Sequence, residues 1–256
     1  MPYAKNGDIN IYYEVEGEGP PLVMLHGLIR SLEDIREAGY VDALKDDYQI
    51  ILMDARGHGK SDKPHDPAMY ISENIVGDVI AVLDSLGIET TNFFGYSYGG
   101  GIAFECAKYA PQRMKSLIVG GAGARHPPPE MLEENIKLFE TGMEALVAAR
   151  EQTGPISPGV KARMLANDCE ALVAICKAIL SSPSIIDDLP GMNMPFLLFV
   201  GESDNNFSGA KESSELLPDV TFISLPGLDH IQAGSRLDLV IPHIKDFLAR
   251  VNEEEG

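Results

Sequence analysis

Short, unbroken runs of apolar residues recur along the chain and predict strands that are buried on both faces. Before them, Asn6-Gly7 is a hairpin-turn dipeptide, and the alternation from Asp8 to Val15 predicts an antiparallel strand at the edge of a sheet. Apolar runs of this length, bounded by turn residues, are typical of parallel strands covered by helices. The runs are Pro21–Leu25, Gln49–Met53, Thr91–Phe94, Ser116–Val119 and Pro195–Val200, with Val220–Leu225 as a last candidate.

Helical patterns lie between the apolar runs. From Asn74 to Leu86 the apolar residues recur at helical spacing, and Gly87 follows as a typical C-terminal cap. Alternating strands and helices predict parallel strands joined by right-handed crossovers. The fold class is therefore α/β, with a mostly parallel central sheet flanked by helices.

One long segment interrupts this alternation. A proline-rich joint, His126-Pro127-Pro128-Pro129, is followed by helical patterns around 130–152, 159–166 and 168–180, with no convincing strand before Leu189. We predict a helical lid over residues 125–189, inserted into a core formed by 1–124 and 190–256. The alternative is an ordinary crossover connection that has become longer.

Composition and charge exclude several functional classes. The chain has 256 residues, of which 45% are hydrophobic and 23% charged, close to the average for soluble globular domains. A formal net charge of −19 argues against binding to nucleic acid and to anionic membrane surfaces. No run of about 18 apolar residues predicts a membrane span, and the first residues lack a signal-peptide core.

We therefore expect a cytoplasmic protein, although a signal peptide that had been removed would leave no trace in this sequence. Three cysteines, Cys106, Cys169 and Cys176, are an odd number in a chain too large to need disulfides, which predicts reduced thiols. The sequence does not indicate an oligomeric state.

The strongest chemical signal is the G-x-S-x-G pattern of Gly95-Tyr96-Ser97-Tyr98-Gly99. It follows an apolar strand, and the residues after it continue as a helix. A strand that turns sharply into a helix forces the serine into a strained conformation and needs neighbours with almost no side chain. Such a turn exposes the Ser97 hydroxyl and directs helix amides towards its target, which predicts a nucleophile.

A serine hydroxyl needs a base and an orienting carboxylate before it can attack. His230 follows the last strand candidate and is the best placed of the six histidines. Asp204 ends the loop that leaves the strand Pro195–Val200, from which its side chain can reach over the sheet edge. We predict a Ser97–His230–Asp204 triad, in the chain order serine, acid, histidine.

The residues that would bind substrate are less sharply defined. Two backbone amides must stabilise the oxyanion, and we assign them to Tyr98 and Leu28. His26 lies two residues before Leu28 and is expected to organise the loop that carries Leu28. Direct contact of His26 with the substrate is the alternative. Arg30 and Arg125 could bind a substrate carboxylate, although both are more typical of solvent-facing positions.

Other motifs in the chain do not predict a cofactor. Gly59-Lys60-Ser61 resembles the end of a phosphate-binding loop, but Asp54 stands where that loop needs its first glycine. A dinucleotide fingerprint fails at Ser97, where its second glycine should be. No spacing of cysteine and histidine indicates a metal site. We expect neither a cofactor nor a metal.

Taken together, these motifs resemble those of the α/β-hydrolase superfamily along essentially the whole chain. The matching segments are the oxyanion loop His26-Gly27, the D-x-R-G-x-G-x-S loop Asp54–Ser61, the nucleophile elbow Gly95–Gly99, the acid loop Gly201–Asp204 and the histidine loop Pro226–His230.

A serine nucleophile disfavours the branches of this superfamily that attack with aspartate, which are the haloalkane dehalogenases and the epoxide hydrolases. The chain has no tryptophan, so the ring that often lines the leaving-group or oxyanion pocket of relatives is absent. The resemblance implies hydrolysis of a small carboxylic ester by water. Lactone hydrolysis, perhydrolysis and carbon–carbon hydrolysis on the same triad remain alternatives, as does a ligand receptor with little turnover.

Overall fold

The computed structural model describes residues 3–152, 154 and 156–253, and within them eight strands form one sheet in the order β1-β2-β4-β3-β5-β6-β7-β8. The first two strands are antiparallel to their neighbours, and the others pair in parallel. The strands are β1 (Tyr3–Asn6), β2 (Ile9–Glu16), β3 (Pro21–Leu25), β4 (Gln49–Met53), β5 (Thr91–Tyr96), β6 (Met114–Gly120), β7 (Phe196–Gly201) and β8 (Val220–Leu225).

Eleven α-helices of the described residues connect and cover this sheet, and each apolar run identified in the sequence coincides with a strand. The predicted α/β class and mostly parallel sheet are confirmed. The helices are α1 (Leu32–Ala38), α2 (Tyr40–Leu44), α3 (Ser72–Leu86), α4 (Tyr98–Tyr109), α5 (Pro129–Glu140), α6 (Met143–Gln152), α7 (Pro158–Leu165), α8 (Cys169–Ser181), α9 (Phe207–Leu216), α10 (His230–Ser235) and α11 (Leu237–Glu253).

The two faces of the sheet bury two separate hydrophobic clusters. Along β3, Val23 packs into the cluster that contains residues of α3, α4 and α8, whereas Leu22 and Met24 pack with residues of α1, α2 and α11. Phe93 and Phe94 on β5 divide in the same way. Because successive side chains of a strand point to opposite faces, a sheet covered on both sides needs these uninterrupted apolar runs.

The connection between β6 and β7 is helical, as the sequence indicates. It holds α5 to α8, and the described residues between these two strands contain no strand. The stretch expected as one helical pattern over 130–152 is two helices, because Gly142 lies between them with a φ of 100°. The assignment of 125–189 as a lid separate from the core stays a prediction.

Two further sequence expectations concern the thiols and the membrane. The three cysteines are free, with Cys106 and Cys176 buried and Cys169 partly buried. In the part of the chain that the structure describes, no helix has both the length and the apolar character that a bilayer span requires.

Candidate active site

The turn between β5 and α4 places Ser97 in a strained backbone conformation. Its φ is 55° and its ψ is −112°, a region that residues other than glycine rarely adopt. The turn is tight enough that a Cβ atom at Gly95 would overlap the carbonyl oxygen of Gly99, and one at Gly99 would overlap that of Leu25. The Ser97 amide donates to the Gly120 carbonyl at 2.8 Å, which ties the turn to β6. The glycines therefore permit the turn that presents the Ser97 hydroxyl.

The structure brings the three side chains of the predicted triad into one hydrogen-bonded chain. His230 Nε2 lies 2.9 Å from Ser97 Oγ, and His230 Nδ1 lies 2.7 Å from Asp204 Oδ2. A neutral imidazole protonated on Nδ1 donates to the carboxylate and accepts from the serine hydroxyl, so this tautomer satisfies both contacts. His230 begins α10 and Asp204 follows β7, so three different elements meet at one edge of the sheet.

Neighbouring groups fix the acid and the base. Asp204 is buried, and its second oxygen accepts the amide of Asn206 at 2.9 Å. The Asn206 side chain donates to the Gly121 carbonyl at 2.8 Å, which links the acid loop to the end of β6. On the other side, the Tyr96 hydroxyl donates to the backbone carbonyl of His230. Burial raises the pKa of Tyr96, so the hydroxyl remains a donor.

The two predicted oxyanion donors lie beside the nucleophile. Tyr98 is the first residue of α4, and Leu28 lines the same cavity as Ser97. The loop that carries Leu28 passes close to the serine, since a Cβ atom at Gly27 would lie 3.3 Å from Ser97 Cβ. The hydrogen bonds of the described residues include none from the backbone N–H of Leu28 or Tyr98. Their assignment as oxyanion donors stays a prediction.

Two buried histidines support the loop on which Leu28 lies. His58 Nε2 accepts the amide of Ile29 at 3.3 Å, and Ile29 has a φ of 61°, a genuine outlier for a β-branched residue. His26 Nδ1 donates to the Gly27 carbonyl at 2.8 Å, and its Nε2 accepts the Ala55 amide at 3.2 Å. The two imidazoles pack edge to face with their centroids 5.1 Å apart.

Both of these imidazoles are held neutral. Burial lowers the pKa of His58 to about 3 and also lowers that of His26. His26 is 1% exposed and does not line the cavity, so the structure does not place it against substrate. Its position fits the loop-organising role. The sequence did not show that His58 supports Ile29. The only signal that could have suggested it was the position of His58 in the Asp54–Ser61 loop.

The Asp54–Ser61 loop is tied together by its own polar groups. The Asp54 carboxylate accepts the amides of Leu32 and Lys60, both at 2.8 Å. The Ser61 hydroxyl donates to the Asp54 carbonyl at 2.6 Å. The Asp54 carboxylate therefore joins this loop to the first residue of α1.

A cavity of about 430 Å³ opens above the triad. Ser97 and His230 lie in its wall, and α5 and α8 from the connection after β6 close it on the other side. Most of its surface is apolar. The apolar side chains that line it are Leu28, Ile75, Ile102, Phe104, Met131, Leu132, Ile175, Ile179, Ile185 and Ile231.

The two arginines considered as substrate ligands are engaged elsewhere. Arg30 does not line the cavity, and its guanidinium lies 3.5 Å from the Asp34 carboxylate. The structure therefore does not support a role for Arg30 in binding substrate. Arg125 does line the cavity, but its guanidinium donates to Glu212 at 3.0 and 2.6 Å. An ion pair of this kind leaves little free charge for a substrate carboxylate.

One cavity residue, Glu105 on α4, was missed by sequence reasoning. Its side chain lines the cavity, and burial raises its pKa to about 7. The sequence places Glu105 on the helix that follows the nucleophile, but only the packing of α3 and α8 shows which helix face borders a cavity. Elsewhere in the described ranges, no cluster of histidine, cysteine or acidic side chains is arranged to hold a metal ion.

Comparison with known proteins agrees with the fold. Residues 20–154, more than half of the chain, match the family described as the alpha/beta hydrolase fold. The chain belongs to the α/β-hydrolase fold family. The crystal structure of the enol-lactonase from Burkholderia xenovorans LB400 superposes with a TM-score of 0.87 at 26% identity, over 97% of this chain and 100% of that one.

Curated relatives of this α/β-hydrolase carry several different activities in their names. A non-heme chloroperoxidase of Streptomyces lividans is 27% identical over 274 residues, covering 93% of this chain and 96% of that protein. A cis-3-alkyl-4-alkyloxetan-2-one decarboxylase of Shewanella oneidensis is 37% identical over 127 residues, which are 49% of this chain. The chain spans less than half the length of the first two curated relatives that it matches, 46% and 39%.

Proposed function

We propose that this protein is a serine hydrolase that cleaves small carboxylic esters through a covalent acyl-enzyme. The observation that carries the proposal is the continuous chain of hydrogen bonds from Ser97 through His230 to Asp204, which lies in the wall of a mostly apolar cavity. A nucleophile, a base and an orienting carboxylate in mutual contact are the minimum that serine acyl transfer requires.

In the first half of the reaction, Ser97 Oγ attacks the ester carbonyl carbon while its proton moves to His230 Nε2. The carbonyl oxygen becomes an oxyanion and accepts hydrogen bonds from the amides of Leu28 and Tyr98. Asp204 stabilises the imidazolium through its bond to Nδ1. The tetrahedral intermediate then expels the alcohol, which takes the proton from Nε2, and the acyl group stays on Ser97.

In the second half, water repeats the attack on the acyl-enzyme. His230 Nε2 removes a proton from the water as its oxygen bonds to the acyl carbon. The same two amides receive the oxyanion again. When the intermediate collapses, Ser97 Oγ leaves, takes the proton back from His230, and the carboxylic acid is released.

The cavity supports small to medium substrates, because its volume of about 430 Å³ lies near the lower end for small-molecule sites. A lactone is a cyclic ester and needs the same steps, so the likeness to an enol-lactonase makes lactone hydrolysis the second candidate. The likeness to a chloroperoxidase keeps perhydrolysis, in which hydrogen peroxide replaces water as the acyl acceptor, as an alternative fate of the same intermediate.

The test combines active-site labelling with steady-state turnover. A fluorophosphonate probe is expected to label Ser97 and to leave a Ser97→Ala variant unlabelled. A panel of chromogenic esters and lactones should then show multiple turnovers by the wild type and almost none by that variant. Labelling without multiple turnover would instead indicate a ligand receptor, and a Ser97→Ala protein that kept most of its esterase activity would refute the proposal.

A further inference from the structure

One face of α4 joins the nucleophile to the deeper part of the cavity. Gly101, Ile102 and Glu105 lie three, four and seven positions after Tyr98, and all four residues line the cavity. Residues at this spacing share one side of a helix. Glu105 lies eight positions after Ser97, which corresponds to a rise of about 12 Å along the helix axis. We call this face the α4 wall.

The middle of the α4 wall is open. A Cβ atom at Gly101 would meet no described atom within 4 Å, although Gly95, Gly99 and Gly100 on the same segment are tightly packed. Gly101 is therefore not required by close packing. Its missing side chain leaves a path between the Ser97 hydroxyl and the Glu105 carboxyl that an extended substituent of the substrate could occupy.

The Glu105 carboxyl forms no salt bridge with the described residues. Salt bridges among the described residues include none with Glu105, and Lys108, one turn further along α4, is paired with Asp188 at 2.8 Å. Ser72 on α3 forms a hydrogen bond with Glu105. The ionisable groups that act on the carboxyl are Glu73 on α3, Lys108, the buried hydroxyl of Tyr98 and the Cys106 thiol. The carboxyl is thus largely buried beside a mostly apolar cavity, and the nearby ammonium of Lys108 is paired with Asp188 instead of with Glu105.

The charges around the cavity favour a cation over an anion. Besides Glu105, the acidic side chains Asp204 and Asp229 line it, and its arginine, Arg125, is neutralised by Glu212. The whole chain carries a formal charge of −19, whose field would concentrate cationic substrates near the protein and repel anionic ones.

Building on the proposed hydrolase function, we propose that Glu105 determines specificity: it binds an ammonium group that the substrate carries two helical turns from the carbonyl that Ser97 attacks. The expected substrate is an ester or lactone with an aliphatic amine at the end of a chain of about five methylene groups. Such a chain, extended by a hydrogen bond of about 2.9 Å, matches the rise between the two residues.

Matched substrates test this proposal. The ω-aminohexanoyl ester of p-nitrophenol is compared with the heptanoyl ester, which has the same length without charge, and with the monoadipoyl ester, which carries a carboxylate. Aminohexyl acetate and heptyl acetate form a second pair, in which the amine or alkyl chain is on the alcohol part of the ester. For the wild type, kcat/KM of the amine member of at least one pair should exceed that of its alkyl partner by on the order of tenfold to hundredfold. The carboxylate should be the poorest substrate.

A charge-neutralising variant assigns the preference to Glu105. Glu105→Gln keeps the size of the side chain and should bring the ratio of amine to alkyl ester close to one. Glu133→Gln, on the exposed side of α5 and away from the cavity, is the matched control and should keep the wild-type ratio. A ratio near one in the wild type on both the acyl and the alcohol side, or a preference that survives Glu105→Gln, would overturn the proposal.

The pH dependence of the same ratio gives a second readout. Because the Glu105 carboxyl has a pKa of about 7, it is ionised above that pH and increasingly neutral below it. The ratio of amine to alkyl ester should therefore rise with pH through this range. Any effect of pH on the chemistry at Ser97 that the two esters share cancels in the ratio. A ratio that does not change with pH would contradict an ion pair with Glu105.

A third variant does not depend on the folding of Glu105→Gln. Gly101→Leu would fill the open part of the α4 wall, so turnover of both six- and seven-carbon acyl esters should fall far more than turnover of an acetyl ester. Equal losses for long and short esters would contradict the path. Failure of the proposed hydrolase function would look different. In that case Ser97→Ala would turn over every ester as fast as the wild type does.

Discussion

His230 and His58 show how the same side chain serves two different purposes. His230 has a side chain that is 36% exposed and is hydrogen-bonded between an acid and a hydroxyl. His58 is completely buried and accepts from one backbone amide while its other nitrogen contacts the Arg56 carbonyl at 3.2 Å. The first can exchange a proton with a reactant, whereas the second can only hold a loop in place.

The difference follows from solvation and partners rather than from residue type. Burial without an ionised partner disfavours the imidazolium, which explains why the pKa of His58 falls to about 3. An imidazole that stays neutral through the physiological range is a stable acceptor for the Ile29 amide. Proton transfer instead needs an acid that stabilises the imidazolium, and Asp204 provides it for His230.

The largest expected effect removes the base. A His230→Ala variant should lose on the order of 10⁴-fold or more in kcat/KM for its best ester, since Ser97 then has no proton acceptor. Its free energy of unfolding should change little, because the side chain is partly exposed and lies at the edge of the cavity. Steady-state kinetics and denaturant unfolding of the same preparation measure the two quantities. Retention of more than a tenth of the activity would contradict the assigned role.

Removing His58 should give the reverse pattern. His58→Ala creates a cavity and leaves the Ile29 amide without its acceptor, so the free energy of unfolding should fall by about 2–4 kcal/mol. Activity of the folded fraction should fall by roughly tenfold, through displacement of the Leu28 amide. Urea unfolding and kcat at saturating substrate check the two effects. A loss of activity as large as that of His230→Ala, with unchanged stability, would contradict a supporting role.

The cost of His58→Ala should also depend on pH. The folded-state pKa of His58 is below its unfolded value, so the unfolded chain binds a proton that the folded chain does not. The stability that the neutral ring contributes is therefore lost as pH falls from about 6.5 towards 3. The destabilisation measured near pH 7 should shrink by on the order of 1–2 kcal/mol near pH 5. Urea unfolding at the two pH values tests this, and an unchanged cost would refute it.

The smallest expected effect concerns an exposed histidine. His65 contacts Asp168 and Glu170, each at 3.0 Å, and the hydrogen bond to Asp168 raises its pKa. Its contribution is present below the unfolded pKa and is lost as pH rises through the folded one, the opposite sign to His58. His65→Ala should shift Tm by no more than about 1 °C near pH 7, as measured by thermal unfolding. A shift as large as that of His58→Ala would remove the contrast between buried and exposed rings.

The sequence was sufficient for the fold and for the residues that now meet at the sheet edge. Apolar runs locate strands because a sheet covered on both faces tolerates few polar side chains, and β3 to β7 follow that rule. In the edge strand β8, only Leu225 is buried. Ser97 was identifiable because the turn it occupies demands glycines at fixed positions. Asp204 and His230 were identifiable because parallel strands place the loops at their carboxyl ends along one edge.

The substrate-contacting residues were not predictable in this way. Arg30 and Arg125 were candidates because a guanidinium can bind a substrate carboxylate, but Asp34 and Glu212 pair with them. Glu212 is distant in the chain, so the sequence does not show that it pairs with Arg125. Glu105 was overlooked for the complementary reason. Which face of α4 borders the cavity depends on how α3, α5 and α8 pack around it. The pattern of apolar residues within α4 does not show this.

The two tyrosines on either side of Ser97 contact different parts of the molecule. Tyr98 turns into the cavity, whereas the hydroxyl of Tyr96 reaches the backbone of His230, more than a hundred residues away, and a Cβ atom at Gly234 would lie 2.7 Å from its ring. The nucleophile and its proton acceptor are consequently anchored to one another twice, once through their reacting atoms and once through the preceding aromatic ring. We therefore expect a shift of the elbow to move the histidine loop with it and to keep the separation of Ser97 and His230 nearly constant.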